Sequence, residues 1–474
     1  NFIWRFAQTE GNYNFSSGSR GKGNLSSEAN PYFLFPQIYN FRYNIFSSEW
    51  PVANRVIELY LQKKSENGGW ERQINGISNN EKAVLLLEKR TFKELLVDME
   101  LRNLQNNIVG QEASRLFARA EINMGVEAFR DSLYSLLKRN TFLNIKFENM
   151  LDTLGEISRT DIRSLLGEWE KTTPLPFYSL GEPTLTKITN KGGEEFFVLK
   201  MLISNNSDYD GIIHMDIRKD GWWYQPLEDP RAKTKIEMPA HTSKEFVSVW
   251  EDQIRNVEIN TMVSGNLPNI ISQDINNVKQ ERNKIVKDSI YILPESSFDL
   301  PGEIIVDNED STLFILSAPP IVGLLPKWLD EVEETPFKYS GISWWRPPLQ
   351  WTATTNDRYY GKYIRSAFVI KSGDGSQTAT WKVPVPEVGQ YDLYYHVFKD
   401  DELRWNNNLQ GEYHFKVKYG SEVEDAYVNL RKANEGWEQL GSYYFDSDTI
   451  RVVLTDECKL RSVTADAVKI VKRY

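Results

Sequence analysis

The residues able to do hydrolytic or redox chemistry are few and scattered. The chain holds four histidines, His214, His241, His396 and His414, and no two of them stand four apart. A helical zinc-peptidase site needs H-E-x-x-H: residues four apart on a helix bring two imidazoles to one face, and the Glu acts as base on the bound water. No such motif occurs. Cys458 is the sole cysteine, so neither an intramolecular disulfide nor a thiolate cluster can form. Set in LTDECKL at an expected strand end, it reads as a small apolar filler. There is no G-x-S-x-G elbow. KSGDGS at 371–376 is Gly-rich but lies between strands, where a tight hairpin is expected; a phosphate cradle needs a strand-to-helix setting. Glycosidase chemistry needs two carboxylates facing one cleft. With 66 acidic residues some pair always qualifies, so the sequence supports no such assignment. No catalytic residue and no metal ligand is assigned to this chain.

Binding is better provided for. Trp344, Trp345 and Trp351, with Arg346 and a Pro pair between them, lie outside the strand pattern. Sugars stack their apolar C–H faces on flat rings while neighbouring polar groups fix the hydroxyls. DDELRWNNNLQ at 400–410 offers Arg404, Trp405 and three Asn in a second polar-aromatic loop. These six residues are the ligand-binding candidates. The other reading of the Trp cluster is a plug that docks one domain on the next, the usual place for a Pro- and Trp-rich insertion. Trp381 in TATWKV and Trp437 in GWEQLG each flank an alternating strand and read as core.

Composition bounds the rest. Hydrophobic residues are 40% and charged residues 26%, which is a packed globular balance. A net charge of −10 argues against nucleic acid as the main partner, since phosphate binding needs a basic face. No apolar run approaches the length of a membrane-spanning helix. Position 1 is Asn and no leader follows, so the chain reads as a piece of a longer protein.

The elements that must position these residues fall into two periods. Residues 1–46 are irregular and aromatic, and read as a loop packed on a neighbour. Helical spacing follows. Val52, Val56, Leu59 and Tyr60 share a face, as do Leu116, Phe117, Ala120 and Met124, with Gly125 as a stop. Phe129, Leu133 and Leu136 form another stripe, and Phe147, Met150, Leu151 and Leu154 a further one. Ile162, Leu165, Leu166 and Trp169 form the last. Pro174 and Pro176 end the region, and strands take over: EEFFVLKMLISNN, GIIHMDIRK, KEFVSVW, NVEINTMVS. The spacing predicts a multidomain fold, α plus all-β: a helical, α-solenoid-like domain over 1–176 followed by two β-sandwich domains. The first sandwich is expected over 177–272, a polar connector over 273–300, and the second sandwich over 301–474, with the Pro/Trp-rich insertion at 317–358.

Two family resemblances attach to these blocks. RLFARAEINMGVEAFRDSLYSLLKRNTFLNIKFENMLDTLGEISRTDIRSLLGEWEKTTPLPFY resembles the C-terminal helical domain of aminopeptidase-N-like zinc metallopeptidases (gluzincins), with Gly125, Phe129, Leu154, Gly155, Trp169 and Pro176 as the matching skeleton. That resemblance implies a bacterial parent whose zinc and catalytic domain lie upstream; this chain itself would carry no cofactor. EIIVDN, YYGKYI, GDGSQTATWKVPVPEVGQYDLYYHV, Tyr413 with VKYG, GWEQLGSYYF and ADAVKIV resemble the golvesin C-terminal-like, or xanthan-lyase carbohydrate-binding-like, domain. Asp307 and Asp466 stand in family-typical blocks, as ligands for calcium or sugar hydroxyls or, more blandly, as turn caps. The two resemblances together imply a non-catalytic scaffold and substrate- or surface-binding region of a metallopeptidase-like protein. The alternative is a carbohydrate-binding or adhesion protein with a helical spacer. Expected partners are the upstream catalytic domain and a polysaccharide or peptide, in the periplasm or at the cell surface.

Overall fold

A computed structural model of the chain describes residues 43–62, 69–141, 143–190, 192–219, 225–275, 277–282, 286–295, 298, 302–317, 337–343, 346–399 and 411–473. Strand accounts for 42% and helix for 24%, an α plus β multidomain chain. Two compact units result. One contains the described part of Asn1–Glu66, Ala83–Pro174 and Lys233–Glu237; the other contains Asn67–Lys82, Leu175–Ala232 and Met238–Tyr474.

The helices are α1 Ala53–Leu61, α2 Gly69–Asn75, α3 Asn79–Lys89, α4 Phe92–Val97, α5 Gln105–Met124, α6 Val126–Arg139 and α7 Phe147–Ser158. Thr91 caps α4 with a capping box to Glu94. Gly125 ends α5 at φ 86°, where its N–H donates to the Glu121 carbonyl at 2.8 Å and a Cβ would be strained. A solenoid would confine each helix pair to its sequence neighbours. That arrangement is not what is seen. α5 is a hub that meets α1, α4, α6, α7 and the 3-10 segment Arg163–Glu170. It can do so because Ile108, Ala113, Leu116, Phe117 and Ala120 are buried on more than one side of it. Trp169 closes this core, edge-on to Trp50 at 5.0 Å and to Phe92 at 4.9 Å. Of the aromatic stretch expected as loop, residues 1–42 lie outside the described residues. Tyr43–Phe46 forms β1, parallel to β2 Leu143–Lys146.

The first sandwich comprises β3 Tyr178–Leu180, β4 Thr184–Thr189, β5 Glu195–Asn205, β6 Gly211–Lys219, β7 Gln225–Pro226, β8 Lys233–Met238, β9 Thr242–Trp250, β10 Ile254–Asn260, β11 Ile270–Asp274, β12 Val278–Arg282 and β13 Ser289–Pro294. One sheet runs β12-β4-β5-β9-β13 with β3 also on β5; the other runs β11-β10-β6-β7. The expected connector over 273–300 is therefore corrected. Its residues supply β12, parallel to β4, and β13, antiparallel to β9. Both are edge strands and mostly exposed. A strand facing water at a sheet edge has no need of an apolar alternation, and so its composition reads like a linker.

The second sandwich comprises β14 Glu303–Val306, β15 Phe314–Leu316, β16 Thr352–Thr355, β17 Ser366–Lys371, β18 Thr378–Pro384, β19 Gly389–Val397, β20 Glu412–Tyr419, β21 Glu422–Asn429, β22 Gly436–Phe445, β23 Thr449–Thr455, β24 Ser462–Ala465 and β25 Val468–Lys472. A four-stranded sheet, β14-β25-β19-β22, faces a five-stranded sheet, β15-β18-β23-β20-β21; β16-β17-β24 form a third. Between the two large sheets lie Trp381, Leu393, Tyr395, Phe415, Val417, Phe445 and Val452, all fully buried. Part of the expected insertion is thus sandwich: Thr352–Thr355 is a strand antiparallel to β17. Residues 318–336 of it lie outside the described residues.

Candidate functional site

In the four-stranded sheet, alternation decides which side chains meet water. On β19, Tyr391, Leu393, Tyr395 and Val397 point into the core, so Asp392, Tyr394 and His396 lie on the outer face. On β22, Phe445, Tyr443 and Gly441 pair with Gly389, Tyr391 and Leu393. Unbroken alternation would then send Gln439 and Trp437 inward. Instead the register shifts between Leu393 and Tyr394, so that Gln439 opposes Tyr394 and Trp437 opposes His396. A one-residue bulge moves every later side chain to the other face. Leu440 is the extra residue; it packs against the core, and Trp437 stands outside, half-buried. This corrects the expectation that Trp437 is core. Trp381, with no bulge before it, is core, fully buried, and its Nε1–H donates to the Asp466 carbonyl at 3.2 Å.

The outer face is a cradle of tilted rings. Tyr360 lies 5.0 Å from Trp437 at 58°, and His396 lies 5.2 Å from Trp437 at 77°. Lys469 sets its ammonium 4.9 Å from the Trp437 ring and 5.3 Å from that of Tyr394. The same ammonium is held 3.1 Å from Glu303, so its charge is compensated. One row further along, Asp392 accepts from Gln439 at 3.1 Å, from the Ser442 hydroxyl and from Arg473 at 2.8 Å. The Ser442 hydroxyl first, then the Arg473 guanidinium, hold Asp392 below the usual carboxylate range.

Asp466 fixes this face from beneath. It is fully buried; His396 Nδ1 lies 2.9 Å from one of its oxygens, and the Tyr360 N–H donates to both at 3.2 Å. Burial pushes its carboxyl up, against the opposing pull of His396. A carboxylate facing Nδ1 selects the tautomer that carries its proton there. That leaves Nε2 as an acceptor aimed away from Asp466, with no partner among the described residues. Asp307 lies close enough for burial, first, and the Asp466 charge, second, to push it well above the usual carboxylate range. Its Oδ1 accepts the Asn308 N–H at 2.7 Å, a turn contact. Among the described residues no group of His, Cys, Asp and Glu has the arrangement to hold a metal ion.

Of the six residues named from sequence, Arg346 and Trp351 are among the described residues. Trp344, Trp345, Arg404 and Trp405 lie outside the described residues. Arg346 is exposed, its N–H donating to the Ser343 carbonyl at 2.9 Å. Trp351 is half-buried against the sandwich core, and its buried indole N–H has no acceptor among the described residues. No ring contact or hydrogen bond joins Arg346 to Trp351. Cys458 is also half-buried against this core, and burial pushes its thiol up. Of the acids at this face, Asp466 is sealed from solvent and Asp392 is engaged three times over.

Residues 347–472 match the Golvesin C-terminal domain. The golvesin-matching segment thus spans β16 to β25, while β14 and β15 complete its two large sheets from upstream. No curated protein matches the chain. Among solved structures, it is similar to TmCBM61 in complex with beta-1,4-galactotriose at 16% identity, over 26% of this chain and 77% of that one, with a TM-score of 0.15. A Bacteroides uniformis beta-glucuronidase is 11% identical over 63% of this chain and 30% of the enzyme, with a TM-score of 0.18. The Sulfolobus Turreted Icosahedral Virus structure is 9% identical over 64% of this chain and 97% of that one, with a TM-score of 0.14. Likenesses at these scores carry no argument. The comparisons lend no support to a metallopeptidase parent. No helix among the described residues is long and apolar enough to cross a membrane.

Proposed function

We propose that the chain is a carbohydrate-binding protein whose golvesin-matching sandwich holds a neutral saccharide on the outer face of β14-β25-β19-β22. The observation that carries this reading is the bulge that turns Trp437 out beside Tyr360, Tyr394 and His396. Rings of this kind take the C–H faces of a pyranose, while the His396 Nε2, the Trp437 N–H and the Gln439 amide oxygen can fix hydroxyls. Both cations of the face have carboxylate partners, Lys469 with Glu303 and Arg473 with Asp392. A neutral ring therefore loses nothing by lacking a charge. In this reading the helical region is a spacer, and the setting is extracytoplasmic. The metallopeptidase parent rests on sequence resemblance alone.

The test is a glycan array followed by calorimetric titration of the full chain and of Trp437→Ala. Binding of a neutral oligosaccharide that Trp437→Ala loses supports the reading. Silence of the wild type across neutral polysaccharides rejects it.

A further inference from the structure

The opposite face of the same sandwich carries a different signal. In the five-stranded sheet, Trp381 and Val383, Ile450 and Val452, and Phe415 and Val417 point inward, which puts Lys382, Arg451 and Lys418 on the outer face. They are direct cross-strand partners: Lys382 opposes Arg451, and Arg451 opposes Lys418. Three cations therefore stand in one row on adjacent strands, at the strand spacing of about 4.8 Å. Lys416, two residues before Lys418, faces the same way in the next row. None of the four has a carboxylate within ion-pair distance among the described residues. Asp425 stands opposite Lys416 in register, but its carboxylate and that of Glu457 face His414, at 2.7 and 3.3 Å.

Like charges placed directly opposite destabilise a sheet. Lysines on strands often guard sheet edges against pairing with another chain. β18, β23 and β20 are the three inner strands of this sheet, so edge protection does not account for the row. The chain as a whole is acidic, at −10, so this local reversal of sign is not a bulk property either.

We infer that Lys382, Arg451 and Lys418 form a second binding face, for a linear acidic polysaccharide carrying a carboxylate on successive rings. A row of cations at strand spacing meets such a chain laid across the strands, one charge per sugar. Single-stranded nucleic acid fits less well, because it needs rings on which bases stack, and this row has none. Tyr427 is already stacked on His414 at 4.8 Å, two rows away. The inference is independent of the Trp437 cradle.

The experiment uses the full chain and the triple variant Lys382→Gln, Arg451→Gln, Lys418→Gln, with polygalacturonate as the probe and single-stranded oligo-dT as its competitor. The wild type is expected to bind polygalacturonate with an affinity that falls steeply as salt rises, and the triple variant roughly tenfold or more weakly at low salt. The variant's melting temperature should be equal or higher, because like-charge opposition has been removed; Trp437→Ala should bind polygalacturonate as the wild type does. No binding by the wild type, equal binding by a folded triple variant, or tighter binding of oligo-dT would each overturn the inference.

Discussion

The two outer faces of the second sandwich are built on sheets that share one core, yet they present opposite solutions to charge. On β14-β25-β19-β22 each cation is matched to a carboxylate, and rings fill the space between. On β15-β18-β23-β20-β21 three cations stand side by side without one among the described residues. A compensated face gains nothing from a charged ligand, whereas an uncompensated one holds repulsion that a polyanion relieves. The difference also depends on backbone geometry. The aromatic face exists because a bulge turns Trp437 outward; the basic row exists because its three strands keep strict alternation.

That dependence can be broken at its source. Deleting Leu440 removes the extra residue of β22 and drives Trp437 and Gln439 toward the core. The expected cost is about 3 kcal/mol or more in a denaturant titration, the scale of severe overpacking and register change. An unchanged midpoint with neutral-glycan binding intact would contradict the bulge as the cause. Next in size, Trp437→Ala should cost about 2 kcal/mol of neutral-saccharide binding, a roughly thirtyfold loss, because truncating a central ring is the usual hot-spot effect. Polyuronate binding should be untouched.

Asp466→Asn sharpens the comparison further. Its carbonyl can still accept from the Tyr360 N–H, but its amide faces His396 Nδ1 and reverses the tautomer, leaving Nε2 as a donor. Neutral-glycan affinity should fall roughly tenfold at unchanged fold, the scale of one mispaired hydrogen bond. A merely structural Asp466 would instead lower stability and leave the affinity of the folded protein alone. The smallest effect is on stability. Asp307 has a raised folded-state carboxyl, so the folded chain keeps a proton that the unfolded chain releases. Stability therefore declines as pH rises from the ordinary carboxylate value toward the folded one, and the penalty is complete above it. Asp307→Asn should melt higher than wild type at neutral pH, and the gap should close as pH falls from the raised folded-state value toward the ordinary carboxylate value. A gap that widens on acidification would refute the sign.

Much of the architecture was legible in the residues. Helical stripes such as Phe147, Met150, Leu151 and Leu154 are buried together, and the period change after Pro176 marks where strands begin. Three features were not legible, each for a physical reason. The hub role of α5 depends on burial on several sides of one helix, which a single stripe does not reveal. Strands β12 and β13 lie at edges where water removes the need for alternation. Trp437 stands on the face opposite to the one alternation predicts, because a bulge inverts parity without leaving an unambiguous mark; Gly441 is a hint, since a Cβ there would meet the Tyr443 ring at 2.8 Å. Loop composition points to Trp344, Trp345, Arg404 and Trp405, which lie outside the described residues. The partners that assemble in the structure, Tyr360, Tyr394, His396 and Trp437, come from three separate blocks and share no local pattern.

One crossed titration tests the whole account most directly. Wild type, Trp437→Ala and the Lys382/Arg451/Lys418→Gln triple variant are each titrated with a neutral oligosaccharide pool and with polygalacturonate. The account predicts two clean losses on opposite arms: the tryptophan variant fails only with the neutral sugars, the triple variant only with the polyuronate. A Trp437→Ala protein that binds neutral saccharides as tightly as wild type would contradict it.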